Sequence, residues 1–275
     1  MRVSGRWKHP RCAALLIAAL AGCQLPPHPP TAPATAPPQP PAHFGTPYDV
    51  VPEASLLLIL VYRAGALASA GHNHVIASHD LTGTLYVPPE LTRGSFELHV
   101  PVATLTVDEA ALRAQQPGSD FPPDVSEGAK EGTRRNMLGT ALLDAAQYPD
   151  MVLSGVGIGP AAPVVAAAAA RAVTVGIEST VRGAQRTFTV PVCYRLVDDA
   201  LIAEGDFPLR QTALGLTPFS AMLGALQVQD EMRVRFRILA RRGRKSGEAS
   251  AGEASAGAAP LGALPRDSPC AATAP

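Results

Sequence analysis

In the stretch MRVRFRILA, residues 232–240, apolar and charged side chains alternate from Met232 to Ile238. The even-numbered positions are apolar, namely Val234, Phe236 and Ile238. The odd-numbered positions between and before them are Arg233, Arg235 and Arg237. Successive side chains of a β-strand point to opposite faces. The pattern therefore predicts a strand with its apolar side on a core and its cationic side outward.

Further β-favouring segments surround this one. They span residues 56–63, 81–87, 94–100, 171–181, 186–196 and 200–209. Short strands separated by turn residues indicate an antiparallel sandwich or barrel. The class predicted from the pattern is therefore mainly all-β.

Two segments with helical spacing interrupt the strands. Residues 108–115 would begin at Asp108 as N-cap, and residues 131–150 would end at Tyr148–Pro149. The turn 217–224 places Pro218 at a first helical position and Gly224 at a C-terminal cap. GVGIGP, residues 155–160, is interpreted as a loop.

The N-terminus has the layout of a secretory signal. Basic residues up to Arg11 precede an apolar run from Ala13 to Ala21, which is too short for a permanent membrane span. The run ends in Leu-Ala-Gly-Cys23, which matches a bacterial lipobox. The match implies cleavage before Cys23 and lipidation of its thiol; the alternative is a plain signal peptide with an accidental cysteine. Gln24, in place of Asp, would direct a Gram-negative lipoprotein to the outer membrane.

The sequence divides into four parts. Residues 1–22 are the signal, 23–46 are the lipidated cysteine with a proline-rich spacer, 47–242 are the folded domain, and 243–275 are an Ala/Gly/Ser/Pro-rich tail. Dense proline excludes helix and central strand from the spacer. The tail composition predicts disorder. The expected location is therefore the cell envelope, on the periplasmic side and lipid-anchored.

The net charge and the cysteine content restrict the classes of function that are open to the protein. The first 22 residues carry four basic and no acidic residues out of 23 of each, so their removal leaves a formal charge of −4. This mild acidity argues against binding of nucleic acid. Cys193 lies in an apolar strand pattern, where a small buried hydrophobe is favoured over a reactive thiol. The sequence leaves open whether the domain pairs with a second copy.

Three stretches resemble the YceI-like family, in order and with matching spacing. They are FELHVPVATLTVDEAALR (96–113), RRNMLGTALLDAAQYPDMVLSG (134–155) and the closing segment from Gly205 to Ala240. The resemblance covers about residues 47–241. It implies an antiparallel eight-stranded lipocalin-like β-barrel with one or two short inserted helices, which binds a polyisoprenoid or quinone-like lipid.

The resemblance also implies an apolar sleeve inside the barrel. Two departures reshape it: Leu142 stands where Phe is usual, and Ala70–His74 replaces a His-x-Gly passage. The ligand identity therefore does not carry over. The residues expected in the sleeve are Leu58, Leu60, Tyr62, Leu85, Phe96, Leu98, Leu142, Val175, Ile177 and Phe219.

The histidines of SAGHNHVIASHDLTG, residues 69–83, admit three interpretations. His72 and His74 are two apart and would share one face of a strand. They could be solvated surface residues, or contact a ligand head group such as a quinone carbonyl or a pyrophosphate. They could also bind a metal, with a third ligand from His79, Asp80, His99 or Asp108.

Three hypotheses for function follow. The first is a non-enzymatic, membrane-anchored barrel that carries or buffers an isoprenoid or similar lipid and needs no other cofactor. The second is a metal-dependent hydrolase or redox enzyme that uses His72, His74 and His79. The third is a structural envelope lipoprotein with a filled core.

Overall fold

The computed structural model describes residues 43–116, 118–160 and 170–243. The predicted signal, Cys23, most of the spacer and the tail from residue 244 lie outside the described residues. Strands dominate the described part. The fourteen strands are β1 (Thr46–Val50), β2 (Leu56–Val61), β3 (Arg63–Ala64), β4 (His74–Ser78), β5 (Thr82–Val87), β6 (Ser95–Pro101), β7 (Thr106–Val107), β8 (Asp150–Pro160), β9 (Arg171–Val181), β10 (Ala184–Val197), β11 (Ala200–Arg210), β12 (Ser220–Ala221), β13 (Leu226–Val228) and β14 (Glu231–Arg242).

Eight of these strands close an antiparallel barrel in the order β1-β5-β6-β8-β9-β10-β11-β14. The ring closes where β14 returns to β1, with Tyr48 opposite Arg242 and Val50 opposite Ala240. The expected lipocalin-like barrel is thus confirmed. Closure leaves these eight strands without a free edge.

Further strands extend one end of the barrel. The first half of β14 pairs with β2, β2 pairs with β4, and β4 pairs with β7. A 3-10 helix at Pro52–Ala54 separates β1 from β2 and lets them pair with different parts of β14. A small sheet of β12, β13 and β3 lies above the same end.

Two short helices are inserted, as expected, but their bounds differ from the prediction. Helix α1 is Ala110–Ala114, and helix α2 is Glu127–Leu138. Ser126 caps α2 by accepting a hydrogen bond from the Ala129 amide, and the helix ends before an extended Gly139. The predicted extension of this helix to residue 150 was wrong, so Leu142 lies in a turn.

Asp108 is not an N-cap. Its φ is +56°, and the N-cap of α1 is Glu109, which makes no capping bond through its side chain. The Asp108 carboxylate instead binds side chains and a backbone amide that are described below. The residue types Asp and Asn tolerate this left-handed backbone better than most.

The loop and turn predictions also need correction. GVGIGP is the end of β8 and pairs with β9, with a bulge between Gly155 and Gly157. Gly155 is required there because an added Cβ would lie 2.7 Å from the Phe96 ring. In segment 217–224, Pro218 precedes the two-residue strand β12, and the 3-10 helix begins only at Met222.

Two apolar clusters stabilise the fold. The larger one lies in the barrel interior and includes Val100, Val181 and Ala240. The smaller one lies outside β2 and β4, where Leu58, Leu60 and Val75 pack against Leu112 and Phe121. The segment 108–125 therefore covers one outer face of the barrel.

The segment over this outer face changes the environment of the β14 arginines. Arg233, Arg235 and Arg237 do lie on the face opposite Val234, as predicted, but Arg235 is only 7% exposed. Its Nε lies 3.3 Å from Asp206 Oδ2, and its Nη1 donates to Gln116. The predicted solvent-facing arginine row is thus partly buried and paired.

Cys193 is buried, as predicted, and it is disulfide-bonded. This agrees with the interpretation as a small buried residue rather than a reactive thiol. A bonded sulfur has no thiol proton and cannot act as a nucleophile.

Candidate functional site

The barrel interior contains two adjoining cavities. The deeper one has a volume of about 190 Å³, and the other, at the end that carries α2 and the small sheet, has a volume of about 370 Å³. Ile59, Met151, Leu214 and Met232 line both cavities. These side chains therefore separate two compartments of one lumen.

The deep cavity is almost entirely hydrocarbon. Among its described lining residues, only Ser95, Tyr86 and Tyr194 carry side-chain nitrogen or oxygen. Apolar cavities of about 150 Å³ stay dry and accept apolar guests. This compartment can therefore hold an apolar chain, but it offers little to a charged group.

The second cavity has a mixed lining. Apolar side chains such as Phe219 and Leu226 form much of it, and polar side chains collect toward α2 and the start of β4. The polar members among the described residues are Arg63, His72, His74, Thr133, Asn136, Gln211 and Gln227. We call the part formed by His74, Thr133 and Asn136 the polar corner.

His74 is held on both ring nitrogens. Its Nδ1 lies 2.6 Å from Asp108 Oδ2, and its Nε2 lies 3.1 Å from Thr133 Oγ1. His74 begins β4, Asp108 follows β7 and Thr133 lies in α2, so three segments converge here. The imidazole is thereby fixed in orientation at the cavity wall.

Asp108 has no exposed side-chain surface and is fully partnered. Its Oδ1 accepts from the Val75 amide at 2.9 Å and from Arg113 Nη1 at 2.5 Å. Burial alone would raise the pKa of Asp108, but the hydrogen bonds from His74, Val75 and Arg113 outweigh it and lower that pKa. Asp108 is therefore a carboxylate at neutral pH.

Arg113 fixes this carboxylate from behind. The guanidinium is fully buried, and it also donates to the Asn73 carbonyl at 2.8 Å and to the Pro122 carbonyl through Nε and Nη2. Asn73 in turn donates to the Asp120 carbonyl. The network connects the cavity wall to the segment that covers the outer face.

The other histidines make separate contacts. His72 is exposed at the second cavity, with its ring centroid 6.1 Å from that of His74. His79 contacts Glu109 at 2.8 Å, and His99 contacts Glu97 at 3.2 Å. In residues 43–116, 118–160 and 170–243, no three His, Cys, Asp or Glu side chains form a group that could hold a metal ion.

Nine of the twelve residues predicted to contact the ligand line one of the two cavities. Leu85, Phe96, Leu98, Val175 and Ile177 line the deep cavity, whereas His72, His74, Leu142 and Phe219 line the second. Whether they touch a ligand stays a prediction.

Leu58, Leu60 and Tyr62 lie elsewhere, which corrects their expected place in the sleeve. Leu58 and Leu60 belong to the outer cluster, and Tyr62 packs edge-on against Phe121 at 5.6 Å between ring centroids. The lumen instead receives Leu57, Ile59 and Val61 from the same strand. Burial raises the pKa of the Tyr62 phenol.

The sequence reasoning missed Thr133 and the role of Asp108 in orienting His74. Thr133 lies in a polar helical segment, and its sequence neighbours give no sign of a cavity. Asp108 was named only as a cap and as a candidate metal ligand. The Asp and Thr come from segments 34 and 59 residues away from the histidine, so only the fold joins them.

An eight-stranded antiparallel barrel with a largely apolar interior and one polar corner is thus the class of structure that this chain adopts. The structure of BcnA from Burkholderia cenocepacia is similar: it shares 17% identity, the match covers 69% of this chain and 98% of that one, and the TM-score is 0.49. A polyisoprenoid-binding domain from Saccharophagus degradans, implicated in plant cell wall breakdown, shares 12% identity over 71% and 98% of the two chains, with a TM-score of 0.44. The YceI protein of Campylobacter jejuni shares 8% over 62% and 85%, with a TM-score of 0.42.

These likenesses concern the fold alone. No family model matches the sequence, and no curated protein matches it. Identities of 8–17% leave the function to be argued from this chain's own residues. Among the described residues, no helix has the length and apolar character needed to cross a membrane.

Proposed function

We propose that this protein binds a lipid with an isoprenoid or quinone-like chain inside the barrel, and that it serves as a carrier or buffer in the cell envelope. The observation that supports the proposal is the pair of adjoining cavities, one apolar and one with a polar corner. Such a gradient of polarity suits an amphiphile whose chain enters the deep cavity and whose head group stays in the second.

The driving force is burial of hydrocarbon. Removal of apolar surface from water contributes roughly 25 cal/mol per Å². Loss of translational freedom and ordering of the chain offset part of this gain. Closure of the barrel helps, because the deep cavity is already formed by packed strands and needs no opening of the sheet.

Membrane anchoring is the second part of the proposal. A lipid on Cys23 and a proline-rich spacer would keep the barrel near the membrane that contains its ligand, which raises the effective concentration. Two exposed apolar residues, Met222 and Leu223, which we call the apolar rim, support this arrangement. Leu223 is fully exposed and Met222 is 68% exposed, close in sequence to the lining residues Phe219 and Leu226.

The two alternative functions have less support. A filled structural core does not agree with the cavities in the barrel interior. The contacts of the histidines speak against a metal-dependent enzyme. Both ring nitrogens of His74 are in hydrogen bonds, and His79 is paired with Glu109. The polar corner is better suited to bind a head group than to hold an ion.

Native mass spectrometry of the full chain tests the proposal. The variant Cys23→Ser keeps the barrel and removes the thiol that would be lipidated, so any added mass has to come from a guest. We expect one co-purifying apolar lipid per chain, identified after extraction. A guest-free mass, together with no uptake of added geranylgeraniol, would contradict the lipid-binding function.

A further inference from the structure

The hydrogen bonds around His74 assign its tautomer. The Asp108 carboxylate can only accept, so Nδ1 of His74 carries a proton and donates to Oδ2 over 2.6 Å. In the neutral imidazole, Nε2 is then an acceptor. The partner 3.1 Å from Nε2 is Thr133 Oγ1, so toward this neutral imidazole the Thr133 hydroxyl donates its single proton.

This assignment fixes what Thr133 can offer to a guest. Its proton is used, whereas its oxygen keeps lone pairs that can accept. A guest that donates a hydrogen bond can bind there, and a guest that only accepts finds no proton on Thr133. Asn136 lies three residues further along α2 and lines the same cavity, where its amide can donate to a guest oxygen.

We propose that the polar corner binds an uncharged hydroxyl head group, which donates to Thr133 Oγ1. The inference rests on the lipid-binding function proposed above and specifies the head group of that lipid. A free alcohol at the end of a long apolar chain matches both groups, since its hydroxyl can donate to Thr133 and accept from Asn136.

The charges near the corner argue against an anionic head group such as a diphosphate. Asp108 is negative and lies directly behind His74, and the positive charge of buried Arg113 is paired with Asp108 rather than available to a guest. Arg63 lines the second cavity but is exposed and donates to the Gly71 carbonyl at 2.8 Å. Arg134 is bound to the carbonyls of Leu105 and Ala103.

Quinone carbonyls fit less well for a different reason. A carbonyl oxygen accepts and cannot donate, so it would place a second acceptor against Thr133 Oγ1. Such an oxygen can accept from Asn136, but it forgoes the hydrogen bond at Thr133 that a hydroxyl makes. The Asp108–His74–Thr133 arrangement therefore distinguishes a hydroxyl from a carbonyl, which apolar lining alone cannot do.

The test compares three probes on the full-length Cys23→Ser chain by titration calorimetry. They are geranylgeraniol, its methyl ether and geranylgeranyl diphosphate, which share one chain. One neutral hydrogen bond corresponds to about a three- to tenfold difference in affinity. We expect the alcohol to bind tighter than the ether by that factor, and tighter than the diphosphate.

Variants of Thr133 test whether the difference in affinity between the alcohol and the ether depends on its hydroxyl. Thr133→Val should bind the alcohol and the ether with equal affinity, whereas Thr133→Ser keeps a hydroxyl and should keep the difference. Thr92→Val is the matched control: Thr92 is exposed and lines neither cavity, so its loss should leave the difference unchanged.

The outcomes separate the two proposals. Equal affinity for alcohol and ether in the parent chain, or tighter binding of the diphosphate, would overturn the hydroxyl assignment while leaving lipid binding intact. Failure of all three probes to bind would overturn the lipid-binding function itself. Octadecanol that binds as tightly as geranylgeraniol would support the hydroxyl assignment and remove the isoprenoid preference.

Discussion

Asp108 Oδ2 lies 2.6 Å from Nδ1 of His74, so a carboxylate with no exposed surface orients an imidazole at the cavity wall. The same carboxylate binds buried Arg113 at 2.5 Å. One residue thereby connects the lining of the second cavity to the segment 108–125 on the outside of the barrel. The connection makes the stability of the fold and the geometry of the polar corner depend on one side chain.

Replacement of Asp108 should therefore destabilise the protein. Asp108→Asn leaves the buried Arg113 charge without its counterion, and such losses cost about 3–5 kcal/mol of unfolding free energy. Urea denaturation at neutral pH measures the loss. The double variant with Arg113→Met should lose less than the sum of the two single variants; additive losses would show that the two residues do not interact.

Acid should reduce the difference in unfolding free energy between the parent and Asp108→Asn. The native pKa of Asp108 lies below its usual value, so its contribution to stability is complete above about pH 4 and is lost as the pH falls through the native pKa. Urea denaturation of both proteins from pH 7 to pH 3 should show their midpoints converging in acid. A constant difference across that range would contradict the depressed pKa.

A large side chain inside the deep cavity should block lipid binding. Ile177 lines that cavity, and Ile177→Trp would occupy much of its volume of about 190 Å³. We expect lipid occupancy to fall at least tenfold by native mass spectrometry, with the thermal midpoint changed by only a few degrees because the new ring fills free space.

The control for this substitution lies on the outside of the barrel. Val156→Trp adds the same ring at a residue that is 54% exposed, and it should leave lipid occupancy unchanged. Loss of lipid from both variants would indicate a general effect of the added tryptophan.

Leu58 and Leu57 should respond differently to truncation. Leu58 is fully buried in the outer cluster, so Leu58→Ala should cost about 2–5 kcal/mol of unfolding free energy without changing lipid affinity. Leu57 lines the deep cavity, so Leu57→Ala should change lipid affinity. Calorimetric titration and urea denaturation of both variants measure the two effects; weaker lipid binding by Leu58→Ala would contradict its placement outside the lumen.

The apolar rim should affect how fast lipid is exchanged with membranes. Leu223 is fully exposed beside the second cavity and has a left-handed backbone with φ +56°, which Asp tolerates. Leu223→Asp should slow transfer of a fluorescent prenol from phosphatidylcholine vesicles several-fold, because a charge opposes contact with the bilayer. Leu196→Asp, at another exposed leucine that lines neither cavity, should transfer at the parent rate.

The sequence by itself determined the barrel strands in which one face is apolar and the other is charged. In residues 232–240 the alternation assigned Val234 to the interior, and the bounds of β9 agree with the predicted 171–181 segment. The physical reason is local: a side-chain period of two specifies both the strand and the side that is buried. Leu85, Phe96, Leu98, Val175 and Ile177, which line the deep cavity, lie in strands that this periodicity predicted.

Only the tertiary structure decided which face of residues 56–62 lines the lumen. The side chains on both faces of this strand are apolar, because the segment 108–125 covers the outer face. The sequence pattern therefore did not indicate which face points into the lumen. The role of Asp108 was likewise hidden, since a cap and a buried counterion have the same residue type. His74, Asp108 and Thr133 become neighbours only when β4, β7 and α2 pack together, and contacts at such separations depend on the whole chain rather than on any local pattern.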